Sequence, residues 1–242
     1  MAGSVSVGLP FAPNNPNLTF IFFIALSLLA ALGLRFSFYA YCNRQASELV
    51  AERPLWNALT LAGLFAVAYA VFGLVEVLTV FALPVKSALL LAHVFSLAVT
   101  MRVLYGRVVS VATTGEIRHE RTTTRAAVLA IVVVFVGMGL VGRHPLLVAL
   151  SGSSALAFTV GGAAFGRRGT TETRVQGTVI DTLLRHLLPV LLFAALILAV
   201  DLAVLAGLDR VVVLHVQVVF VIMTATALMT ATIKLRQNLA TL

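Results

Sequence analysis

Seven apolar stretches, each long enough or nearly long enough to cross a bilayer, fill almost all of the 242-residue chain. A helix needs about 20 apolar residues to cross the hydrocarbon core. The runs lie near Leu18–Tyr41, Leu55–Leu83, Val85–Ala112, Ala126–Val141, Pro145–Phe165, Leu183–Leu208 and Val211–Leu235. Their length, without strict apolar–polar alternation, predicts helices and not a barrel, because lipid offers no partner to a backbone amide. With 60% hydrophobic and 11% charged residues, too little polar surface remains to face water. The expected fold is an all-α polytopic membrane protein, a single seven-transmembrane-helix bundle over residues 1–242.

The net charge of +8 does not call for nucleic acid, because its placement already has a topological reason. Of the 17 Lys and Arg residues, only Lys86, Arg143 and Arg210 fall beside the links after spans two, four and six. The rest flank the opposite ends, around Arg44, Arg107–Arg125, Arg167–Arg174 and Arg236. Positive residues stay cytoplasmic, so the N-terminus is expected outside and the C-terminus in the cytoplasm of a multi-pass cell-membrane protein. The basic inner loops then offer a surface for anionic headgroups or for a cytoplasmic protein partner. The single cysteine, Cys42, excludes an intrachain disulfide and a cysteine metal cluster. The oligomeric state stays open, a homo-oligomer included.

Four ionisable residues inside four spans carry the functional expectation: Glu76, His93, Asp201 and His215. Counted from the outer span ends at 1.5 Å per residue, each sits roughly 6–12 Å deep. Charged groups at such depth are costly and point to ion, proton or substrate sites. Each hairpin carries an acid on its outgoing helix and a histidine on its returning one. A carboxylate and an imidazole can relay a proton or share a divalent metal, so these four are also the candidate metal ligands. On span three, His93, Ser96, Thr100 and Arg107 recur at helical spacing, and Tyr69 shares a face with Glu76 on span two. Gln217 and Thr224 mark a face of span seven, and Ser153, Ala157 and Gly161 give span five a small-residue packing face.

Covalent retinal has no anchor, since the centre of span seven reads Phe220-Val221-Ile222-Met223-Thr224 and the lysines, Lys86 and Lys234, lie at span ends. Haem or a divalent metal on His93 and His215 remains a redox alternative. The leading expectation is a sensor or receptor-like module whose outer-half cavity takes a small ligand, ion or proton through Glu76, His93, Asp201, His215, Ser96, Thr100 and Tyr69. A small-solute or proton-coupled transporter using the same residues is the second, and an accessory subunit of a membrane complex the fourth. Nothing in the motifs assigns an enzymatic reaction. Spans one to three and five to seven share an orientation, which suggests a three-plus-one-plus-three repeat.

Overall fold

The computed structural model describes residues 15–47, 53–79, 83, 85–109, 128–129, 131–137, 139–142, 144–171 and 179–240. Among them every regular element is a helix. The helices are α1 (Pro16–Ala46), α2 (Arg53–Leu78), α3 (Lys86–Val109), α4 (Ile131–Val141), α5 (Pro145–Thr171), α6 (Val179–Ala199), α7 (Asp201–Leu205) and α8 (Arg210–Leu239). Among the described residues six helical units are long and apolar enough to cross a membrane, with α6 and α7 forming one of them. The fourth expected span is described only in part, as α4 with residues 128–129 also helical before it. Its expected start, Ala126, lies outside the described residues, as does the loop Arg118–Arg125.

Local chemistry sets the ends. Asn15 caps α1 by accepting the Leu18 amide at 3.0 Å, and Pro16 occupies the first turn, where no amide donor is needed. The sixth span ends in a turn closed by the Leu208 amide on the Ala203 carbonyl at 3.0 Å. Gly207 makes that turn at φ +92, a conformation that side-chain-bearing residues rarely adopt. Asp209 then caps α8 through the Val211 amide at 2.6 Å.

Packing order closes a ring: α1 lies against α2 and α8, α2 against α3, α3 against α6, and α6 against α8. Helix α5 rests on the α3–α6 pair. We call the end where α1 begins the amino end and the end where α8 finishes the carboxyl end. At the carboxyl end Asn43, fully buried, ties α1 to α8: its Nδ2 donates to the Leu235 carbonyl at 3.0 Å, and its Oδ1 accepts from Asn238 at 2.7 Å. The helix order suits a three-plus-three repeat, but the packing of α3 on α6 is asymmetric. Its repeat counterpart, α8 on α2, is not a packed pair among the described residues.

The small-residue face of α5 is not the one expected. Ser153 and Ala157 are exposed, and a side chain at Gly161 would meet open space. The face that packs holds Gly152, Ala155, Thr159, Gly162 and Gly166, about one residue round the helix. A Cβ at Gly162 would come within 3.1 Å of the Ala98 backbone on α3. Outward faces of the bundle are apolar, with Phe20, Leu34, Phe38, Leu129, Leu140, Leu146 and Val160 between 58% and 81% exposed. Such faces, on helices of this length, are consistent with a membrane protein.

Candidate functional site

At the amino end all five ring helices converge on one small pocket. Phe22 comes from α1, Tyr69 from α2, Lys86, Ser87 and Leu90 from α3, Ile197 and Leu198 from α6, Asp201 from α7, and Arg210, Leu214 and Gln217 from α8. It is the mouth of the ring axis. Its volume is about 20 Å³, room for one water-sized body. A second crevice of about 170 Å³ opens beside it, between Pro145 and Val148 of α5 and Val204 and Leu205 of α7. Asp201 and Arg210 line both spaces.

The two cations of the mouth are the first residues of their helices, Lys86 of α3 and Arg210 of α8. A cation there opposes the helix dipole, at about 0.3–1 kcal/mol each, so acids must offset it. Glu76, at the end of α2, forms an ion pair with Lys86, both side chains being only 12–13% exposed. Around Arg210 stand Asp201, which shares its pocket, and the capping Asp209. The mouth is therefore built of balanced charges, two cations with acids beside them.

Asp201 owes its place to a break in the sixth span, expected as one helix over Leu183–Leu208 but divided at Val200. Buried Gln217 explains where the break falls. Its Nε2 donates to the Ile197 carbonyl at 3.0 Å, one turn before Asp201, and so competes with the helix's own amide donor. The Gln217→Leu change is expected to cost about 1 kcal/mol, the typical worth of an interhelical hydrogen bond in a membrane. Unfolding in mixed micelles measures it, and an unchanged midpoint would mean that the bond stabilises nothing.

No known protein family, curated protein or solved structure matches this chain.

The four ionisable residues do not gather in one place. Glu76 pairs with Lys86 and not with His93. His93 is fully buried, with Nδ1 2.7 Å from the Ala62 carbonyl, and Ala62 lies about 21 Å along α2 from Glu76. His215 is exposed, and its Nδ1 donates to its own helix at the Val211 carbonyl, 2.7 Å away. Gln217 faces inward because two residues turn the helix by about 200°. Among the described residues no three His, Cys, Asp or Glu side chains stand close enough to hold a metal, so the expected four-residue metal set is not assembled. Of the other expected site residues, Tyr69 lines the mouth, Thr100 is buried and donates to the Ser96 carbonyl at 2.8 Å, and Ser96 is half-buried.

Sequence reasoning missed Lys86 and Arg210, which served there only as topology markers. A cation placed where a helix begins, with an acid within ten residues, was the signal available for both. Arg102 and Arg35 are not part of this site. Arg35 is exposed, and the Arg102 guanidinium sits 5.6 Å from the Phe165 ring centre, toward the carboxyl end.

Proposed function

We propose that this chain is a multi-pass cell-membrane protein with its amino end outside and its C-terminus in the cytoplasm. In this reading it is a sensor or receptor-like module. Its mouth takes a proton or a small ion, and the basic inner loops pass the change to a separate cytoplasmic partner. One observation carries the reading: five helices of the ring place side chains in a single pocket that holds two cations and a carboxylate. A change of charge there bears on every helix of the ring at once. The volume of about 20 Å³ favours a proton or monatomic ion over a larger ligand.

The transporter reading is supported by a different feature, the division of the sixth span beside Asp201. Interrupted membrane helices recur at coupling sites because they free backbone groups and allow rocking.

The chain's single tryptophan, Trp56, is buried near the start of α2, at the end opposite the mouth, and serves as a reporter. In liposomes, its emission is expected to change when external pH, sodium, potassium or chloride is varied. The Asp201→Asn variant should lose that response. Emission that stays flat in the unaltered protein across all these conditions removes the sensor reading, and proton or ion flux into the same liposomes installs the transporter in its place.

A further inference from the structure

We propose that His93 Nε2 holds an enclosed water molecule about one helical turn below the mouth, the next polar station along the ring. The proposal rests on the mouth being the entry for a proton or small ion. His93 is fully buried, and its Nδ1 lies 2.7 Å from the Ala62 carbonyl. A carbonyl only accepts, so Nδ1 carries a proton and donates it. In the neutral ring Nε2 is then a bare acceptor, and no group among the described residues bonds to it. Leaving a buried acceptor without a donor costs about 1–3 kcal/mol. Ordered water is the usual remedy inside proteins, where it takes up such an acceptor together with other polar groups nearby.

The position of His93 gives that water its significance. Lys86, Leu90 and His93 follow one another at steps of four and three residues, so they share a face of α3. Lys86 and Leu90 line the mouth, and His93 lies about 4.5 Å beyond Leu90 along the helix. The same face continues to buried Thr100. Its hydroxyl spends its proton on the Ser96 carbonyl at 2.8 Å and keeps oxygen lone pairs as acceptors. Charge at the mouth, an apolar step at Leu90 and a bare imidazole nitrogen below it follow in order along this face of α3. A metal ion is a poorer occupant, because it would need further ligands and no group of three gathers among the described residues.

The test is solid-state NMR of the full chain in lipid bilayers, with ¹⁵N-histidine and ¹³C-carbonyl-alanine labels. Of the five histidines only His93 follows an alanine, Ala92, so its backbone nitrogen is identified without any substitution and leads to its ring. The expected spectrum shows a protonated Nδ1 and an unprotonated Nε2 that receives magnetisation from water. Exposed His144, in the link before α5, supplies the reference for a wet ring. Leu90→Ala should raise water exchange at His93 at least severalfold. A protonated Nε2 beside a bare Nδ1, or an Nε2 that receives no transfer from water while His144 does, overturns the proposal. Neither result touches the reading of the mouth, which stands or falls on the Trp56 response.

Discussion

Lys86→Met is expected to lower stability by about 3 kcal/mol, Glu76→Gln by about 1–2 kcal/mol, and the two together by less than about 1 kcal/mol. The inequality between the single changes comes from geometry. With Lys86 removed, the short Glu76 side chain, 13% exposed, is left as an uncompensated carboxylate inside the end of the bundle. With Glu76 neutralised, the long stem of Lys86 can carry its ammonium out toward water, which limits the penalty. The remaining cost is that of a cation facing the start of α3. Removing both charges leaves nothing to compensate, so the double variant approaches the parent. Unfolding titrations in mixed micelles give all three values and hence the coupling energy of the pair. Additive single effects would show that the two side chains do not depend on one another. The balanced charge of the mouth would then have to be sought in Asp201 and Arg210 alone.

The existence of the spans was legible because a helix in lipid must be apolar over most of its length, and nothing else in this composition explains runs such as Leu55–Leu83. Burial of His93, Thr100, Gln217 and Thr224 was equally within reach, since each falls on a helical repeat with its neighbours. What hydropathy cannot supply is rotation about an axis when both faces are apolar. On α5 the choice between Ser153-Ala157-Gly161 and Gly152-Ala155-Gly162 depends on which neighbour comes closest, and both patterns read alike along the chain. The same blindness put His215 in the site and left Gln217 out of the site list. The division at Val200 depends on a side chain donated by another helix, which no local pattern of α6 announces. Depth alone therefore grouped two acids that do meet at the mouth, through Lys86 and its pocket, with two histidines that rotation and partner choice take elsewhere.

The close crossing of α1 and α2 should be the most sensitive contact in the bundle, and Gly63→Val should cost about 3 kcal/mol or more. A Cβ at Gly63 would lie 2.2 Å from the Ser37 Oγ, 2.9 Å from the Phe36 ring and 3.0 Å from the Gly33 carbonyl oxygen. Two of those neighbours are side chains that can rotate, but the carbonyl belongs to the facing helix and moves only if α1 moves. Separating the helices also weakens the Ser37 hydroxyl's 3.3 Å bond to the Thr60 carbonyl. Without a hydrophobic force between helices in lipid, such close packing supplies much of the association energy. Gly161→Val is the matched control, because nothing lies within 4 Å of its Cβ, and it should change stability by less than about 0.5 kcal/mol. The same separation should be felt at the mouth: α1 supplies Phe22 there, and Leu26, one turn further on, is the residue that packs over Gly73 of α2. Gly63→Val is therefore expected to speed water exchange at His93 as well as to destabilise the fold. A destabilised variant whose His93 ring exchanges no faster would mean that α1 holds the bundle together without closing its mouth.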